Sequence, residues 1–121
     1  MKKEYIISTN NLSIGYTTKK EAVIIADHLN LNLASGKLIA LVGANGIGKS
    51  TLLRTITGIQ KPISGNVFLN HKNILDFSSL EIAKALSLVL TEKLPLSNLT
   101  VLELVALGRQ PYTNWIGTLT D

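Results

Sequence analysis

Nine consecutive residues, Gly43-Ala44-Asn45-Gly46-Ile47-Gly48-Lys49-Ser50-Thr51, carry the strongest chemical signal in this chain. The first eight satisfy G-x-x-x-x-G-K-[ST], and each fixed type has a physical reason. A triphosphate brings several negative charges that must be held without steric obstruction. Glycines let the backbone curl so that successive N–H groups converge, and they leave no Cβ in the way. A helix beginning near Lys49 adds its positive N-terminal end. Lys49 can reach the β- and γ-phosphates as a point charge, and the Ser50 hydroxyl is placed to ligate Mg²⁺. A chance match in a chain of this length is expected on the order of a few times per thousand sequences. The bland reading, a glycine-rich turn capping a core helix, is opposed by what flanks the loop.

The elements that must position this loop are legible on both sides of it. Residues 4–16 read as a strand ending near Gly15-Tyr16, Thr17 to Glu21 as a polar turn, and Ala22 to Ile25 as a second short strand. Leu29, Leu31 and Leu33 alternate with polar or small residues, the period of a strand with one apolar face. After a turn at Gly36, Lys37 to Val42 (KLIALV) is apolar on both faces, which predicts a central buried strand feeding the loop at 43–48. Lys49 to Thr57 then reads as a helix stopped by Gly58. Pro62 to Gly65 is a turn, Asn66 to Leu69 a strand, and Leu88 to Leu90 another. Ser78 with Glu81, and Thr100 with Glu103, have the spacing of capping boxes for helices reaching Leu86 and Gly108. The order predicts an α/β domain with a β-subdomain at its start.

Composition bounds the rest. The chain has 121 residues, 45% hydrophobic and 17% charged, enough for a packed core rather than disorder. Its formal net charge is +4, but the basic residues are scattered and aromatics are few, so no nucleic-acid partner is expected. The lack of cysteine excludes a disulfide framework and a thiolate metal site, and it suits a reducing cytoplasm. No apolar run approaches the length of a membrane span, so a soluble chain is expected.

Around the loop the chain resembles the ATP-binding cassette (ABC) ATPases. Asn45 and Gly46 with Lys-Ser-Thr-Leu-Leu (49–53), Leu33 to Lys37 before the loop, and Ile63 to Val67 after the helix carry that likeness. The resemblance implies a P-loop NTPase fold of the ABC type, with ATP and Mg²⁺ as cofactors. It implies that Gly43, Ala44, Asn45, Gly46, Ile47, Gly48, Lys49, Ser50 and Thr51 bind the nucleotide, with Ser50 on the metal. Tyr16 stands 27 positions before Gly43, where the family places an aromatic that stacks on adenine through its ring. Residues 99–112 resemble the branch serving iron–siderophore, haem and cobalamin importers, and Arg109, Tyr112 and Trp115 fall where that branch meets its membrane permease. The implied partners are that permease and a second copy of the ATPase subunit. The implied location is the cytoplasmic face of the membrane, held there through the permease.

Two departures qualify the likeness. Where family members carry a glutamine that touches Mg²⁺ and the attacking water, this chain aligns Thr91-Glu92. Either the coupling position is substituted or these residues are simply loop. The Leu-Ser-Gly-Gly-Gln signature, the apolar strand ending in Asp-Glu and the switch histidine do not occur within residues 1–121, which therefore read as the N-terminal part of a single truncated domain. Without that carboxylate, in-line attack of water has no positioned base. Three readings follow: an importer ATPase subunit, a non-transport cassette protein, and a nucleotide-binding piece without turnover.

Overall fold

A computed structural model of the chain describes residues 4–91 and 98–112. The chain divides into two units, Met1–Ser78 and Ser79–Asp121. In the first, a long strand β1 (Tyr5–Thr17) organises everything else. β2 (Ala22–Leu29) and then β3 (Asn32–Ala34) pair antiparallel with successive halves of β1, and β4 (Ser64–Leu69) pairs antiparallel along its other edge. β5 (Lys72–Asn73) closes a hairpin on β4 across Asn70-His71. Both turn residues have positive φ, as a two-residue turn that matches strand twist requires.

The apolar phase of β1 changes midway, and the backbone shows why. Ile7 and Thr9 are buried on one phase, Leu12 and Ile14 on the other. Asn11, at φ 47°, absorbs the extra residue in a bulge, visible as a register shift between Asn10 and Ser13. Asn11 tolerates that conformation at about 1–2 kcal/mol. Burying Leu12 and Ile14 stabilises by about 1.5–3 kcal/mol each, so the bulge is kept. Gly65 lies opposite, where a Cβ would fall on the Asn11 carbonyl. Ile7, Leu12, Ile14, Val67 and Leu69 of the sheet, with Ile56 and Ile74, form the core.

Helix α1 (Lys49–Ile56) packs on β1, with Thr51, Thr55 and Ile56 inward. Its exit is tied back to the same strand: Gln60 Nε2 donates to Gly15 O at 2.5 Å, and Ile63 N donates to Ser13 O at 2.9 Å. The second unit holds α2 (Ser79–Ala85) and α3 (Val101–Ala106), the latter continuing as a 3-10 helix over Leu107–Tyr112. The capping box at α3 is formed on both sides: Thr100 Oγ1 accepts from Glu103 N at 3.2 Å, and Glu103 Oε2 accepts from Thr100 N at 2.7 Å. Hydrogen bonds from Thr100, first its backbone N–H and then its side chain, hold the Glu103 carboxyl below its usual range.

Several sequence expectations are corrected here. Lys37 to Val42 is not a strand: no described strand pairs with it, and Leu38 and Val42 are 103% and 88% exposed. A run apolar on both faces needs neighbours at both edges and cover above and below, and the described sheet ends at β2 and β5 without reaching it. Leu88 to Leu90 likewise forms no strand, with Val89 exposed. The alternation at Leu29, Leu31 and Leu33 is split: Leu29 ends β2, Leu31 lies between the strands and Leu33 is in β3. The α/β class stands, built on an antiparallel sheet with the phosphate-loop helix beside it.

Candidate functional site

The loop before α1 is shaped by its glycines. Gly46 has φ 81° and Gly48 φ 114°, values that strain any residue with a Cβ. Asn45-Gly46 makes the turn, closed by Ile47 N donating to Ala44 O at 3.3 Å. Gly48 is the N-cap of α1 and gives it no side-chain cap, so the first N–H groups of the helix are left for another acceptor. That is the arrangement an anion needs, with the helix dipole adding to it. A Cβ on Gly48 would stand 2.5 Å from Ile25 Cγ2, which pins the loop against β2.

Lys49 folds back over the loop, its Nζ donating to Gly43 O at 2.5 Å and Ala44 O at 2.8 Å. The ammonium therefore sits on the loop itself rather than out in solvent. Ser50 is exposed at the second position of α1, whereas Thr51 beside it is buried. Tyr16, on the bulged end of β1 against Val23, is half exposed and lies with its Oη 2.9 Å from Thr51 Oγ1.

These residues converge on one cavity of about 340 Å³. Tyr16 and Ile25 line it from the sheet; Asn45, Gly46 and Gly48 line it from the loop, and Lys49, Ser50 and Thr51 from the helix. Aromatic ring, curled backbone, ammonium and two hydroxyls thus share a space large enough for a small ligand. Gly43, Ala44 and Ile47 shape the loop behind it: Gly43 and Ala44 through their carbonyls on Lys49, Ile47 through its side chain near Gly43. Mg²⁺ takes few protein ligands and keeps water and phosphate oxygens for the rest, so a single exposed hydroxyl at Ser50 beside the loop fits it.

The remaining sequence candidates belong to the second unit. Thr91 is an exposed residue of the second unit, and Glu92 lies outside the described residues, as does Trp115. Arg109 and Lys84 both stand over the Tyr112 ring, at 4.6 and 5.6 Å from its centroid, and Tyr112 Oη donates to Lys84 O at 3.4 Å. Two residues escaped sequence reading. Ile25 was visible as a strand residue, but nothing in its spacing points to Gly48. Gln60, which fixes the backbone beside Tyr16, gave no signal at all.

Comparison with known proteins follows the same lines. The family model for ABC transporter domains matches residues 26–119. The chain is similar to the iron(3+)-hydroxamate import ATP-binding protein of Bacillus subtilis, 39% identical over 115 residues covering 95% of this chain and 41% of that protein. It is also similar to the achromobactin transport ATP-binding protein of Dickeya dadantii, 37% identical over 110 residues covering 91% of this chain and 39% of that one. The chain thus spans about two fifths of these relatives. Among solved structures, a bacterial ABC transporter cassette determined as a dimer superposes with a TM-score of 0.71 at 28% identity, over 84% of this chain and 46% of the cassette. No described helix is long and apolar enough to cross a membrane.

Proposed function

The chain belongs to the ABC transporter family, and on that premise we propose that it is the nucleotide-binding part of an importer's ATPase subunit. The observation that carries this reading is the single cavity in which Tyr16, the loop 43–48 and the start of α1 meet. In it the loop N–H groups and Lys49 hold the β- and γ-phosphates, Ser50 ligates Mg²⁺, and the Tyr16 ring stacks on adenine. Mg²⁺ held by Ser50 would supply neutralisation of charge on the phosphate oxygens. Residues 1–121 supply these contacts but no carboxylate base or facing signature, so by themselves they bind without hydrolysing.

The relatives named for iron-hydroxamate and achromobactin transport support an iron-chelate cargo, with haem or cobalamin as the neighbouring choices. The intact protein then works as a homodimer under a membrane permease, on the cytoplasmic face, and takes no nucleic acid. Thr91-Glu92 stands at the coupling position of that machine. The test is reconstitution of the intact protein with its permease in vesicles. Uptake of a ferric hydroxamate that needs internal Mg-ATP supports the reading; ATP turnover indifferent to the permease points to a non-transport cassette, and absence of ATP binding ends it.

A further inference from the structure

Tyr16 does more in this structure than offer a ring. Its Oη lies 2.9 Å from Thr51 Oγ1, a hydroxyl on a residue only 3% exposed, in the first turn of α1. The backbone just before it is fixed from the segment that follows the same helix, where Gln60 Nε2 reaches Gly15 O at 2.5 Å. Gly15 permits this, since a Cβ there would collide with the Val23 carbonyl across the bulged pair. Thr51 is itself held, its carbonyl accepting from Thr55 Oγ1 at 2.7 Å, with Thr55 fully buried. The strand end that presents the aromatic is therefore tied at two points, to α1 through the phenolic hydroxyl and to the segment after α1 through Gln60.

We propose that the Tyr16 hydroxyl is a positioning group for adenine nucleotides: through Thr51 it sets the angle and distance of the ring relative to the phosphate loop. This rests on the reading of the cavity as a nucleotide site. A tyrosine ring turns about two side-chain torsions, and a half-exposed one has little packing to stop it. A hydrogen bond from its far end removes that freedom before the ligand arrives, and preorganisation of this kind raises affinity by lowering the ordering cost of binding. A ligand that needs only the loop gains nothing from it. The hydroxyl thus contributes to binding a base and a phosphate chain together.

The experiment is a mutant cycle in the intact protein, read as Mg-ATP affinity by calorimetry. Tyr16→Phe keeps the ring and is expected to weaken Mg-ATP by about three- to tenfold, the range of one net hydrogen bond. In a Thr51→Val background the same change is expected to have no further effect, and in a Thr51→Ser background the loss returns. Mg-tripolyphosphate, which carries no base, is expected to bind wild type and Tyr16→Phe alike. Equal Mg-ATP affinity for wild type and Tyr16→Phe, or the same loss in the Thr51→Val background, overturns the proposal. So does an equal loss for tripolyphosphate, which would make the change a general disturbance of the loop. If wild type binds no Mg-ATP, the reading of the cavity fails first, and the cycle distinguishes the two.

Discussion

Ile25 of β2 stands against Gly48 at the N-cap of α1 so closely that a Cβ on the glycine would lie 2.5 Å from its Cγ2. Gly48 is held at φ 114° besides, so Gly48→Ala meets both a clash and a strained backbone. The backbone term alone is about 1–2 kcal/mol. Gly48→Ala is expected to lower thermal stability and to remove nucleotide binding. Ile25→Ala placed in the same protein relieves the clash but not the strain, so it restores part of the melting temperature. Full restoration would show that sterics alone set the loop.

Lys49 donates to the carbonyls of Gly43 and Ala44, which places its charge on the loop. Hydrogen bonds to charged groups are worth about 1.5–3 kcal/mol. Lys49→Ala should therefore weaken Mg-ATP at least tenfold in calorimetry and abolish ATP turnover in the intact protein. An unchanged turnover rate would remove the nucleotide assignment.

Truncating the aromatic tests the base. Tyr16→Ala should weaken ATP by about 1–3 kcal/mol, the range for base–aromatic stacking, and should leave tripolyphosphate bound. Equal ATP affinity for wild type and the alanine variant would show that the ring is not a platform.

Glu103 provides a pH test in the second unit. Its carboxyl is held below the usual range by hydrogen bonds from Thr100, so the capping box contributes above the ordinary carboxylate pKa and is lost as pH falls through the depressed one. The helical signal of α3, followed by NMR, should fall on acidification below about pH 4.5. Glu103→Gln should remove that step. A step that survives the substitution would belong to another carboxylate.

Leu38, Ile39, Leu41 and Val42 are exposed next to the loop. Their full burial is worth roughly 6–12 kcal/mol as an upper bound, comparable to the net stability of a whole domain. Residues 1–121 produced alone should self-associate with rising concentration in sedimentation velocity, and Leu38→Thr with Val42→Thr should reduce it. A monodisperse, sharply melting monomer would contradict this.

Sequence reading reached furthest where backbone demands dictate residue type. Gly46, Gly48 and Lys49 announce the loop because few other residues can make it, and Thr100 with Glu103 announces a cap for the same reason. It failed at Lys37 to Val42, since periodicity reports how much cover a segment wants and not whether a partner strand lies alongside. It also could not see that Tyr16 and Thr51, 35 positions apart, share a hydrogen bond. Chain distance hides such pairs, and the bulge at Asn11 that re-phases β1 toward them looks in sequence like a broken alternation.

The place of β1 between β2 and β4 has a consequence for the order in which the molecule is made. The hairpin with β2 closes over a short stretch and can form as soon as its residues leave the ribosome. The other edge of β1 stays open until Leu69 has been synthesised, a delay on the order of seconds, since Ile7 pairs with Leu69. What is made between β3 and β4, the glycine loop and α1 included, is laid down as one large connection between two strands of a sheet. A nascent chain paused before β4 is made carries an open strand edge for a chaperone to guard.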